Sequence, residues 1–179
     1  MSTALLIIDV QHALCTGEYA AFDSDRVIER INTLSAQARA AHAPVVLIQH
    51  EENDGPLRFD TAPWQLAEGL TTSPSDLRVR KTTPDSFHRT DLTQLLQARD
   101  ISHRVICGLQ SDFCVDATTR RALALGYEVT LVEDAHSTVD NGVLTAAQIT
   151  AHHNVTLANM TSFGKRATVI PAADVRIQA

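Results

Sequence analysis

RVICGLQSDFCVDATTRRALALGYEVTLVED, residues 104–134, decides the fold. It opens on an apolar run, Val105 and Ile106, that stops at Gly108. A helix-like pattern begins near Asp112 and fades at Gly126, and a second strand-like run over 127–134 ends in two acids. Strands alternating with helices imply a parallel sheet covered on both faces.

Outward from this unit the same alternation continues. ALLIID, residues 4–9, is a short apolar run ending in an acid. From Ser24 a helix carries Val27, Ile31, Leu34 and Ala38 at helical spacing, behind a cap at Asp23 or Ser24. PVVLIQH (44–50), LRVRK (77–81) and ATVIP (167–171) read as further strands. TDLTQLLQARDI (90–101) is a short amphipathic helix with Leu92, Leu95 and Leu96 as its apolar stripe. Residues 143–159 form a longer helix with Leu144, Ala147, Ala151, Val155 and Ala158 on one stripe. The polar, turn-rich stretch 51–76 is expected to be a long excursion with one helical turn at Trp64–Ala67. Excursions of this length are often functional.

Bulk properties narrow the function classes. A length of 179 residues suits one domain over 1–179. The net charge is -6 and no basic patch with interleaved aromatics occurs, which argues against nucleic-acid binding. No run of about 18 apolar residues exists, so no membrane span is expected. MSTALLIIDVQ lacks a basic leader and reads as a core strand, which places the chain in the cytoplasm. Cys15, Cys107 and Cys114 make an odd, scattered set, unlike a disulfide framework or a zinc knuckle.

In open parallel sheets, ligands sit outside the carboxyl ends of the strands. Those ends offer Asp9, Lys81 and, beyond the fourth strand, Cys114. An acid, an amine and a thiol at one sheet edge form a nucleophilic site. Cys114 lies near a helix start, so the N–H groups and dipole there, with Lys81, are expected to lower its pKa below the usual ~8.5. Asp9 would take and return the thiol proton. Each residue alone has a structural reading: Cys114 as a small buried hydrophobe, Asp9 as a cap, Lys81 as a solvated surface group. Cys107 is expected in the core and Cys15 to be inert.

Three segments together resemble the isochorismatase-like cysteine hydrolases: ALLIIDVQHAL, KTTPDSFHRTDLTQLL, and the stretch VICGLQSDFCVDATTRRALALGYEVTLVEDAHST. The resemblance covers nearly the whole chain. It implies a Rossmann-like three-layer α/β/α fold with a six-stranded parallel sheet, and a triad of Asp9, Lys81 and Cys114. It also implies a cis peptide at Leu109–Gln110, with the N–H groups of Gln110 and Cys114 forming an oxyanion hole. The implied reaction cleaves a C–N bond of a small amide, ureido or imide-like substrate through a Cys114 thioester, without a cofactor. Homo-oligomers are implied as well.

The pocket wall is expected to draw on Trp64, Phe87, Phe113 and His136, with Gln11 orienting Asp9 or the substrate. Two departures stand out. His12-Ala13-Leu14 follows Asp9-Val10-Gln11 where many relatives carry Asn and Phe. HEENDG (50–55) offers a single imidazole, so no metal is expected, although His50 with Glu52 or Asp54 is the set that would hold one. His152 and His153 are adjacent on a helix and are read as helix surface or a subunit contact. Competing readings are an isochorismatase-type vinyl ether hydrolase, a non-catalytic binding relative on the same fold, and a redox-sensing thiol at Cys114.

Overall fold

A computed structural model describes residues 2–178. The sheet is built from β1 (Thr3–Ile8), β2 (Val45–His50), β3 (Leu77–Lys81), β4 (His103–Leu109), β5 (Glu128–Ser137) and β6 (Thr168–Ile170). The helices are α1 (His12–Cys15), α2 (Ser24–Ala40), α3 (Leu92–Gln97), α4 (Asp116–Ala124) and α5 (Ala146–Ala158). All strand pairs are parallel, in the order β3-β2-β1-β4-β5-β6. The six-stranded parallel sheet and its helical layers match the expectation from the sequence.

Alternation along each strand divides the core into two layers. Leu5, Ile7, Leu47, Val105 and Cys107 pack on one face with Ile31, Leu34 and Ala38 of α2. Leu6, Ile8, Ile48 and Ile106 pack on the other with Leu92 and Leu96 of α3, Ala122 and Leu123 of α4, and Leu157 of α5. Strands covered on both faces need apolar residues at every position, so β1 is buried from Thr3 to Ile8.

The chain crosses from β1 to β2 and β3 on one side, and to β4, β5 and β6 on the other. The order therefore reverses between β1 and β4, where such sheets open a crevice. Gly108 makes the close approach there possible. Its φ is +114°, and a Cβ on it would stand 2.1 Å from the Ile8 carbonyl oxygen. No other residue lets β4 lie this tightly against the end of β1.

Three local expectations differ from the structure. Cys114 lies in a π-helical turn, Ser111–Val115, and the α-helix proper starts at Asp116. The helical turn expected at Trp64–Ala67 is a 3-10 turn at Ala62–Trp64. Helix α5 buries Ala146, Ile149, Asn154 and Leu157, while Leu144, Ala147, Ala151 and Val155 of the expected stripe are exposed, Val155 to 65%. Apolar residues surround α5, so periodicity does not select a face. The hydrogen bonds of Asn154 to His136 and to the Glu133 carbonyl do. Among the described residues no helix is long and apolar enough to cross a membrane.

Candidate active site

The carboxyl ends of four adjacent strands supply the site. Asp9 follows β1 in a left-handed conformation, φ 51°. His50 ends β2 and Lys81 ends β3, and the two are register partners. Cys114 sits in the turn after β4.

Asp9 and Lys81 emerge two strand spacings apart, each about 4.8 Å. Only a long side chain spans that gap, and it must run across the end of β2. The ammonium of Lys81 donates to Asp9 Oδ2 at 2.6 Å, to His50 Nδ1 at 3.0 Å and to Cys114 Sγ at 3.1 Å. An ammonium has three N–H donors, so all are used. His50 Nδ1 must then accept, which puts the imidazole proton on Nε2, 3.9 Å from Glu52 Oε1.

Burial and the neighbouring Lys81 charge both lower the pKa of His50, so the ring is neutral. Burial pulls Lys81 down, but Asp9 and Cys114 outweigh it and its pKa is raised, so the ammonium keeps its charge. Cys114 departs from the sequence expectation: burial, reinforced by Asp9, pushes its thiol up to about 12. Lys81 works against that shift without cancelling it. The resting site therefore holds a carboxylate, an ammonium and a protonated thiol.

A cavity of about 260 Å³ opens onto these groups. Asp9, His50 and Cys114 lie at its floor, and Leu14, Leu57, Pro84 and Phe113 form its walls. Gln110 lines it, and the Leu109–Gln110 peptide is cis. Glu52 also lines it.

Of the residues expected to line the pocket, Phe113 and Gln110 do so. The structure places the others elsewhere. Gln11 is fully buried, and its amide clamps the end of β2. It accepts from the His50 N–H at 2.8 Å and donates to the carbonyls of His50 at 3.0 Å and Trp64 at 2.8 Å. Trp64 is buried edge-on against Phe59, with ring centroids 4.9 Å apart. Phe87 is core, stacked on Tyr127 at 6.0 Å.

His136 lies behind the turn, sealed from the cavity. Asn154 Nδ2 donates to the Glu133 carbonyl, so Asn154 Oδ1 accepts from His136 Nε2–H at 2.9 Å. His136 Nδ1 then accepts the Ser111 hydroxyl at 2.8 Å. Burial lowers the His136 pKa to about 4.

Sequence reasoning passed over the bond between His50 and Lys81. The available signal was position: a residue ending β2 lies beneath any side chain crossing from β3 to β1. Asp9, His50 and Cys114 each offer a donor atom, all within 4.8 Å of one another. Lys81 lies against all of them, so the positive charge at their centre is an ammonium. Asp54 takes no part in that group. His153 meets Asp116 at 3.1 Å on the outer helical layer.

An isochorismatase domain is recognised over residues 3–172. Streptothricin hydrolase of Streptomyces noursei is 41% identical over 138 residues, covering 76% of this chain and 50% of its own. The chain thus spans about half the length of the first curated relatives it matches. The ureidoacrylate amidohydrolase RutB of Caulobacter vibrioides is 28% identical over 171 residues, 75% of this chain and 76% of that one. The crystal structure of an isochorismatase family protein superposes with a TM-score of 0.86 at 38% identity, covering 93% of this chain and 96% of that chain.

Proposed function

The chain belongs to the isochorismatase family of hydrolases, and from that premise we propose that it hydrolyses the C–N bond of a small amide, ureido or imide-like molecule with Cys114 as nucleophile. One observation carries the reading. A single buried ammonium, Lys81, bonds a carboxylate and a thiol together at the floor of an open cavity. The printed activities of two relatives, a streptothricin hydrolase and an amidohydrolase, support the reaction class.

The resting thiol is protonated, so its proton must leave as the carbon–sulphur bond forms. Asp9 Oδ1 is buried without a hydrogen-bond partner among the described residues and is the acceptor for that proton. Cys114 Sγ adds to the carbonyl carbon, and the carbonyl electrons move to oxygen. The N–H groups of Gln110 and Cys114 receive this oxyanion. Asp9 returns its proton to the departing nitrogen, the C–N bond breaks, and a thioester remains. Water, deprotonated by Asp9, then adds to the thioester and releases the acid and the thiol. Lys81 keeps its charge throughout and stabilises whichever of Asp9 and Cys114 is the anion.

The test is ammonia release from a panel of small amides and ureido compounds, run with chelator present on wild type and Cys114→Ala. Wild type is expected to turn over at least one of them. The folded variant should lose about 10³-fold or more. A folded Cys114→Ala protein that retains full turnover refutes the covalent route and favours direct attack of water on the carbonyl.

A further inference from the structure

The cavity has an uneven charge balance. Asp9 and Lys81 neutralise each other at 2.6 Å. His50 accepts from Lys81 and carries no charge. Glu51 turns away to Arg80, 3.5 Å from its Nε, and Arg80 stacks over the Phe59 ring. Arg58 pairs with Glu52 through the backbone, and its exposed side chain is not part of the lining. What remains is the half-exposed carboxylate of Glu52, which lines the cavity and pairs with no cation among the described residues.

Among the described residues neither an arginine nor a lysine lines this cavity, and Lys81, beneath its lining, has every N–H engaged. An anionic substrate would find no free counter-charge and would face Glu52. A cationic one would find a carboxylate across the imidazole of His50, which stands between Glu52 Oε1 and the floor where Cys114 lies. We propose that the cavity selects amides carrying a cationic group, an ammonium, amidinium or guanidinium, a few bonds beyond the carbonyl, with Glu52 as its counter-charge. The proposal rests on the amide-hydrolase reading for the word amide and on the lining alone for the charge.

The test therefore separates the two. Cys114 is labelled with methanethiosulfonates that differ only in bearing an ammonium, a sulfonate or no charge. Rates are read by peptide mass spectrometry and divided by those of a free small thiol in the same buffer. The cationic reagent is expected to exceed the anionic by about ten-fold in wild type. The ratio should shrink in Glu52→Gln and reverse in Glu52→Lys. In parallel, kcat/KM is compared for matched cationic, neutral and anionic primary amides, with the same order expected.

An anionic reagent as fast as the cationic one in wild type, or a ratio untouched by Glu52→Gln, overturns the proposal. Cleavage of amides without a charge order also overturns it and leaves the hydrolase reading standing. Charge-selective labelling with no amide cleaved leaves cation selection standing and removes the hydrolase reading.

Discussion

Polar clusters flank the turn from Gly108 to Cys114 on both sides, and they differ in what they can do. On one side Cys114, Asp9, Lys81 and His50 meet at the floor of an open cavity. On the other, Ser111, His136 and Asn154 form a hydroxyl–imidazole–amide chain with bonds of 2.8 and 2.9 Å. In bond order alone the second cluster resembles a hydrolytic triad better than the first. Yet Ser111 is 0% exposed and lines neither the active-site cavity nor a separate cavity of about 440 Å³ that borders His136 and Asn154, and its chain carries no formal charge.

A buried neutral network whose hydroxyl meets no cavity satisfies its own hydrogen bonds and locks the turn. A buried ion pair is costly in a core and serves chemistry where charge must be held at a reaction centre. Access and charge separate the clusters, while the sequence of donors and acceptors does not.

The sharpest way to break this contrast is Asp9→Asn. It removes the proton acceptor while leaving the thiol in place, and turnover should fall about 10³-fold. Cys114 labelling confirms that the site survives. Undiminished turnover would strike Asp9 from its role. His50→Ala takes an acceptor from the Lys81 ammonium and frees it to swing from the sulphur. A charged hydrogen bond of this kind is worth about 10- to 100-fold in turnover. A variant with wild-type turnover would reduce His50 to a bystander.

Ser111→Ala probes the buried side. It leaves His136 Nδ1 unpaired and should cost about 1–3 kcal/mol in denaturant unfolding, with turnover changed less than about ten-fold. If a folded Ser111→Ala protein lost turnover as fully as Cys114→Ala, the distinction between the clusters would collapse.

Acid probes the same side without a substitution. His136 titrates near 4 in the fold against an ordinary value of 6.5. Below 6.5 the unfolded chain binds a proton that the native chain refuses, so stability is lost as pH falls from 6.5 towards 4. The loss amounts to about 3 kcal/mol by pH 4 at about 1.4 kcal/mol per unit. Melting temperatures between pH 7 and 4.5 should fall in wild type and fall less in His136→Gln. Equal slopes would show that His136 is not what couples folding to acid.

Much of the fold was legible because its signals are local. Short apolar runs ending at Asp9 and His50 mark buried parallel strands, the alternation of LRVRK marks a half-exposed edge strand ending in Lys81, and helical spacing marks α2 and α3. Motif order carried Asp9, Lys81 and Cys114 to one sheet edge. The face of α5 was misread because apolar residues surround it, and only the bonds of Asn154 orient it. Phe87, Trp64 and His136 were misplaced because aromaticity records burial without recording which cavity a ring borders. The Cys114 pKa was misjudged because burial, reinforced by Asp9, outweighs Lys81, and how deeply a thiol is buried is not written in its neighbours along the chain.

The sequence by itself determined the layers, the strand ends and the residue types that gather there, since period and composition are properties of consecutive residues. Only the tertiary structure decided which strand ends are neighbours and which side chains meet. Lys81 reaches Asp9 because β2 lies between β3 and β1, which puts His50 beneath its path. Cys114 joins them because Gly108 lets β4 close against β1. Strand order, side-chain direction and access to solvent follow from packing between residues far apart in the chain, and no local window contains that information.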